Sequence, residues 1–226
     1  MHALSKQEFD IGFFTNRVEE TLAFWREEIG LSYEPPVYFN DGLVQYRHHL
    51  GNAIIKINGA DGGVSEKANG GYGDLYISTD IVRQNLKGCA KKTDPNGQVI
   101  HFVPNAPHKL RLEIPAADID KERDFLLNAL GCSEEPTDTF RLGNCAVTLK
   151  HTPDIGFADH WVNGGFRYFT VHVMKVDEAY QQIIDNGGAE GEKPYAIGDI
   201  AKISFVRSPA GHWIEVAQRR ELAGAW

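Results

Sequence analysis

The chain writes one hairpin twice. Ser208-Pro209-Ala210-Gly211-His212-Trp213-Ile214-Glu215-Val216 and Asp94-Pro95-Asn96-Gly97-Gln98-Val99-Ile100-His101-Phe102 share the form x-Pro-x-Gly-x-apolar-Ile-polar-apolar. Proline pre-sets φ at the second turn position and glycine supplies freedom where the chain reverses. Ile203 to Val206 on one side and Trp213 to Val216 on the other favour pleated, half-buried backbone. The odd residue is Glu215. Between Ile214 and Val216 a carboxylate costs free energy unless it is paired, ligated or facing a wet cavity. Strand alternation also allows it to face solvent. His101 stands at the same place in the earlier copy.

A duplicated hairpin asks for a duplicated fold, and the rest of the chain supplies one. The first unit opens with a short strand at Phe9 to Phe14. Asn16 and Glu19 have capping-box spacing, Val18, Leu22, Trp25 and Ile29 follow a helical period, and Gly30 stops the helix. Strands are expected near Val37 to Phe39, at Val44 to His48 and at Ala53 to Ile57. After a Gly-, Asp- and Asn-rich stretch from Gly59 to Gly73, a second unit runs from Leu75 to Val103. It is the shortest, with a weakly patterned segment from Asp80 to Lys92. Leu110 to Ile114 starts a third unit, in which Asp118 can cap a helix that Gly131 ends. Leu142-Gly143-Asn144-Cys145 echoes Leu50-Gly51-Asn52-Ala53. Tyr168 to Val173, a helix on Val176, Ala179, Tyr180, Ile183 and Ile184, and the opening hairpin make the fourth unit. The reading is an α+β chain of four β-α-β-β-β modules, the second abbreviated.

Composition narrows the function. The 226 residues carry a net charge of −8, which argues against nucleic acid and anionic membranes as partners. No run approaches the ~18 apolar residues of a membrane span, and the N-terminus lacks the apolar core of a signal peptide, so a cytoplasmic protein is expected. The three cysteines, Cys89, Cys132 and Cys145, have no CxxC spacing and read as reduced thiols. No phosphate loop, Gly-x-Gly-x-x-Gly fingerprint or Gly-x-Ser-x-Gly elbow is present, so no nucleotide cofactor is implied.

The order of these modules resembles the vicinal oxygen chelate superfamily of glyoxalase I, bleomycin-resistance proteins and extradiol dioxygenases. The matching stretches are Val18-Glu19-Glu20-Thr21-Leu22-Ala23-Phe24-Trp25-Arg26-Glu27-Glu28-Ile29-Gly30-Leu31, with the strand before it, and Ser208 to Glu215 with its shorter echo. The resemblance covers nearly the whole chain. It implies modules paired into two cup-shaped mixed-sheet domains, expected at residues 1–106 and 107–226 with the boundary at Pro104 to Pro107. It also implies a metal inside a cup, held by the first strand of each module and the last strand. At those positions stand Asp10, Asp74 and His101 in the first half, and Arg111, Tyr168 and Glu215 in the second. Neither set is the family's usual His, His, Glu.

The two sets suit different chemistry. Asp10, Asp74 and His101 could hold Mn²⁺, Mg²⁺ or Fe²⁺ as a Lewis acid. Arg111 would repel a metal. With Tyr168 and Glu215 it suits a metal-free site: Arg111 binding an oxyanion, Glu215 as general base and Tyr168 donating to an enolate. A structural Arg111–Glu215 pair is the bland alternative. His172 shares strand parity with Tyr168 and Thr170 and is a further acid–base candidate. His48 and His49 point to opposite faces, His108 has the wrong parity to join Arg111, and His2, His151 and His160 lie in loops or termini. The resemblance thus implies a small-molecule enzyme, a lyase or isomerase acting on a hydroxy-carbonyl or enol, or an extradiol-type dioxygenase acting on a catechol-like compound. The alternative is a metal-free protein that sequesters a small molecule, and homodimerisation is left open.

Overall fold

The computed structural model describes residues 3–39, 42–65, 71–82, 86, 90–156 and 160–226. His2, Cys89 and part of the weakly patterned Asp80 to Lys92 segment lie outside the described residues. The first module comprises β1 (Asp10–Phe14), helix α1 (Val18–Ala23), β2 (Ser32–Tyr33), β3 (Val37–Tyr38), β4 (Leu43–Leu50) and β5 (Ala53–Ala60). The second has β6 (Leu75–Ser78), a 3₁₀ turn at Thr79–Ile81, β7 (Lys91–Thr93) and β8 (Val99–Val103). The third has β9 (Leu110–Ala116), α2 (Ile119–Asp124), β10 (Ser133–Glu135), β11 (Thr139–Leu142) and β12 (Cys145–His151). The fourth has β13 (Gly165–His172), α3 (Val176–Asp185), β14 (Ala189–Ile197), β15 (Ala201–Arg207) and β16 (Trp213–Arg219), with α4 (Arg220–Ala223) behind it. Among the described residues no helix is long and apolar enough to cross a membrane.

The modules pair out of chain order. One sheet runs β14-β15-β16-β13-β1-β5-β4-β2, with β3 also on β4, and joins the first module to the fourth. The other runs β10-β11-β12-β9-β6-β8-β7 and joins the second to the third. The expected pairing of first with second and third with fourth, and the cut between residues 106 and 107, is therefore corrected. The strands on either side of that cut, β8 and β9, belong to one sheet, and each flanks β6. The Pro104 to Pro107 segment is a turn within a sheet, and repetition along a sequence does not say which copies pair.

Local signals explain most of the elements. Asp118 caps α2 by accepting from the Lys121 amide at 3.1 Å. Asn16 does not cap α1, whose N-cap is Arg17; its amide group pins the chain to the backbone of Val64 instead. Both α1 and α2 run on into a π turn, at Phe24–Glu28 and Phe125–Ala129. Gly30 and Gly131 end these turns in the left-handed region, at φ 78° and 71°.

The two sheets are clasped by the repeated hairpins. The Asn96 side chain, in the turn of the second module, donates to Thr21 Oγ1 on α1 at 2.9 Å. The Ala210 amide, in the turn of the fourth module, donates to Glu122 Oε2 on α2 at 2.9 Å. Thr21 and Glu122 are each the fourth residue of their helices and both are fully buried. His212 adds a bond to the Pro115 carbonyl at 2.6 Å. Between the sheets and helices lies one large core that includes Ile11, Phe13, Trp25, Ile55, Leu112, Phe125 and Phe169.

Candidate functional site

The other face of the larger sheet holds the candidate site. Strand alternation puts Asp10, Lys56, Thr170, His172 and Glu215 there, because their neighbours Ile11, Ile55, Phe169, Val171, Ile214 and Val216 belong to the core. A row crosses three strands: Glu215 on β16 is opposite Thr170 on β13, which is opposite Asp10 on β1. Lys56 reaches this row from β5. Its Nζ lies 2.6 Å from Glu215 Oε2, 2.7 Å from Thr170 Oγ1 and 3.9 Å from Asp10 Oδ2. Thr170 donates to Glu215 in turn. An ammonium has three N–H donors. Two are engaged, and the third has no partner within hydrogen-bond distance among the described residues.

Asp10 fixes the second half of the cluster. It accepts from Lys6 Nζ at 2.5 Å, from the Ile54 amide at 2.9 Å and from His172 Nε2 at 2.8 Å. Burial alone would raise its pKa. The His172 hydrogen bond and the charges of Lys56 and Lys6 outweigh that and hold it well below the usual carboxylate range. A carboxylate only accepts, so Nε2 of His172 carries the proton and Nδ1 is left as a lone pair. Nδ1 is buried and has no hydrogen-bond partner in the structure. Burial also lowers the pKa of His172, with Asp10 opposing, which keeps the ring neutral at pH 7. Glu215 is pulled down: burial raises it, and the attraction and hydrogen bonds of Lys56 and Thr170 win.

A cavity of about 720 Å³ is lined by Lys6, Asp10, Lys56 and His172. Arg47, His49, Glu34 and Arg219 stand further out in its walls. The other half of the same face is filled with aromatic rings. Tyr168 sits among Phe14, Trp161 and Phe205. Its hydroxyl is engaged by the side chains of Asn58 and Gln45, the latter at 3.5 Å, and Lys56 lies 5.5 Å from its ring centre. A Cβ on Gly12 would stand 2.0 Å from the Tyr168 ring, so only glycine admits that ring over β1.

The smaller sheet has a row of its own. Arg111, Tyr76 and His101 are opposite one another across β9, β6 and β8. The guanidinium lies 3.7 Å from the Tyr76 ring centre, and that ring stacks on His101 at 4.3 Å. His101 bonds Asp74 at 2.7 Å, and Arg111 donates to Thr148 at 3.1 Å. By strand order and register Arg111 matches Asp10, Tyr76 matches Thr170, His101 matches Glu215 and Thr148 matches Lys56. Each row carries one cation, on a different strand.

These placements redistribute the expected site residues. Asp10, His172 and Glu215 come together, joined by Lys56 and Thr170, with Tyr168 beside them. Asp74, His101 and Arg111 come together on the other sheet. The expected trio of Asp10, Asp74 and His101 is not assembled, and the Arg111–Glu215 pair does not form. Among the described residues no three His, Cys, Asp or Glu side chains converge as a metal-ligand set. The larger site already contains a cation in Lys56, which would repel a metal ion beside it. The donor set does not fit a divalent metal. Lys56 was missed in the sequence, although its signal is the one that marked Glu215: a charge between Ile55 and Ile57 in an apolar strand.

Comparison with known proteins agrees with this architecture. No protein-family model matches the sequence, and a search of curated proteins finds no match. Solved structures do match. Glyoxalase I from Zea mays superposes with a TM-score of 0.70 at 12% identity, covering 93% of this chain and 92% of that one. A protein of Bacillus subtilis subsp. subtilis str. 168, named as a candidate dioxygenase, superposes with a TM-score of 0.71 at 14% identity, covering 97% and 86%. The chain has the fold of the vicinal oxygen chelate superfamily.

Proposed function

We propose that the larger sheet carries the active site of a small-molecule enzyme that enolises a hydroxy-carbonyl compound, with an internal lysine as its electrophile. The observation that carries this reading is the placement of Lys56: its ammonium is oriented by Glu215 and Thr170 and keeps one N–H in reserve. His172, aligned by Asp10 through Nε2, turns its buried Nδ1 toward the cavity on substrate binding and takes a proton from the carbon next to the substrate carbonyl. The C–H electron pair becomes the new C=C bond, the carbonyl π pair moves onto oxygen, and the Lys56 N–H receives the oxyanion. Return of the proton to the former carbonyl carbon, with the neighbouring hydroxyl passing its proton to the oxyanion as its own C=O forms, gives an isomer; expulsion of a β-leaving group gives a lyase product. Glu215 and Asp10 are positioning residues here. A preorganised donor of this kind is worth about 10²–10³ in rate. The Zea mays neighbour, a glyoxalase I by name, is in keeping with this substrate class.

The test is solvent hydrogen exchange. Hydroxyacetone, dihydroxyacetone and glycolaldehyde in D₂O are followed by proton NMR with wild-type protein, Lys56→Met and His172→Gln. Exchange catalysed by wild type and reduced at least about a hundredfold in Lys56→Met is expected. Equal rates in wild type and Lys56→Met overturn the role of Lys56. Saturable binding of these probes without exchange would mark a protein that sequesters its ligand.

A further inference from the structure

The smaller sheet offers a cavity that the enolisation site does not use. It has a volume of about 340 Å³ and is lined by Tyr76, Ser78, Arg111 and Thr139 together with the apolar surface of Val103, Ala106, Pro107 and Pro136. That volume falls at the small end of ligand pockets. We propose that this cavity is a second, independent binding site for a compact carboxylate with a flat apolar body, anchored by Arg111.

Three features point to this ligand. Arg111 has no carboxylate within ion-pair distance among the described residues; its guanidinium donates to Thr148 Oγ1. A guanidinium presents five N–H donors in a planar fork that matches a carboxylate, so most of its capacity is unspent. The second feature is rigidity. Arg111 lies flat on Tyr76, and Tyr76 on His101, with the ring planes of the latter pair only 8° apart. His101 is held by Asp74, and Arg111 by Thr148, so the fork is set before a ligand arrives and little ordering cost remains on binding. The third is charge. Glu135 also lines the cavity, but it is matched by His108 at 2.8 Å and Arg141 at 3.2 Å. The cation without a counter-charge is Arg111, and the remaining wall suits an aromatic or branched aliphatic body. His108, set aside on strand parity, lines this cavity with Arg111 because it precedes β9, where alternation has not begun.

The experiment uses benzoate, with benzamide as its uncharged counterpart, followed by ¹⁵N–¹H correlation spectra of the full chain. Benzoate is expected to shift the amides of Tyr76, Ser78, Arg111 and Thr139 saturably. Affinity should drop at least about tenfold for benzamide and for Arg111→Gln, and recover in part in Arg111→Lys, because a point charge replaces the fork. Lys56→Met, which disables the other sheet, should bind benzoate like wild type. Shifts that map to the Lys6, Asp10 and His172 cavity, or unchanged affinity in Arg111→Gln, overturn the proposal. So does the absence of saturable shifts with benzoate and with cinnamate.

Discussion

Lys56 Nζ and Glu215 Oε2 lie 2.6 Å apart, and both side chains are almost completely shielded from water. Glu215 therefore cannot be a site residue without also being a structural one. Read as a site residue alone, it should tolerate Glu215→Gln with near wild-type stability; the pair reverses that expectation. Removing one partner of a buried pair leaves the other charge uncompensated and costs about 3–5 kcal/mol. Glu215→Gln should destabilise by roughly the lower figure in urea unfolding, since glutamine still accepts a hydrogen bond. Combined with Lys56→Met, the cost should fall short of the sum by at least about 1 kcal/mol. Additive costs would show that the pair is not coupled.

Asp10 makes a prediction about acid stability. Its pKa is lower in the folded state than in the unfolded chain, where it is about 3.9. The unfolded state therefore binds a proton first as pH falls. The stability contributed by Asp10 is fully present above about pH 4 and declines as pH drops through the interval down to its depressed folded value. Asp10→Asn should be less stable than wild type at pH 7, with the gap narrowing from about pH 4 downward. A gap that stays constant across that range would mean that Asp10 is not held in its charged form by Lys6, Lys56 and His172.

The fold could be read almost entirely from the sequence, because it rests on local signals that occur several times. Gly30 and Gly131, Leu50-Gly51-Asn52 and Leu142-Gly143-Asn144, and the two Pro-x-Gly turns each mark a boundary through backbone conformation. The pairing of modules could not be read this way, since it is set by which first strands lie side by side, β1 with β13 and β6 with β9, and no local signal encodes that long-range choice. The site was half legible. Matching positions picked out Asp10, Arg111, His101 and Glu215, which the sheets do place in facing rows, but sorting them by chain half mixed two sheets. Lys56 lies on β5, outside the first and last strands of a module where the resemblance places site residues, and an ammonium is not a metal ligand. Thr170 gave no signal, as a threonine in a strand is ordinary until its partners are known.

Because Lys56 occupies the centre of the donor set, enolisation should not depend on an added metal. Dialysis against a chelator should leave the hydroxyacetone exchange rate of wild-type protein within about twofold of the untreated rate, well below the 10²–10³ expected for loss of an oxyanion donor. Restoration of a lost rate by Mn²⁺, Fe²⁺ or Mg²⁺ would mean that Lys56 moves aside for a metal in the working enzyme.

Glu122 tests the clasp between sheets. Its carboxyl is buried, and burial raises its pKa, with the Ser208 and Ala210 hydrogen bonds opposing. Glu122→Ala removes the acceptor of the half-buried Ala210 amide, at a cost of about 1 kcal/mol. The turn at Ser208 to Gly211 should then exchange its amide hydrogens faster than β16 does. Equal protection in variant and wild type would show that the turn is held by its own hydrogen bonds alone, such as the Ser208 amide to the His212 carbonyl at 2.9 Å.

Gly12 tests whether the aromatic half of the larger sheet is as rigid as its packing implies. Gly12 has no left-handed φ, so conformation does not demand glycine there; space does. An alanine Cβ would meet Tyr168 Cε1 at 2.0 Å and Cζ at 2.1 Å. The ring cannot retreat easily, with Phe14, Trp161 and Phe205 at centroid distances of 6.2, 5.7 and 5.7 Å. Overpacking of this sort costs about 1–3 kcal/mol. At a strand position free of the clash, Gly→Ala would stabilise by about 0.4–1 kcal/mol through the unfolded chain. Gly12→Ala should therefore destabilise wild-type protein and become neutral or stabilising when Tyr168→Leu has removed the ring. The sign change, measured by urea unfolding of the four proteins in the cycle, isolates the Gly12–Tyr168 contact from any general effect of alanine in β1. If Gly12→Ala costs the same in both backgrounds, the ring is free to move and the aromatic half is not a fixed wall of the site.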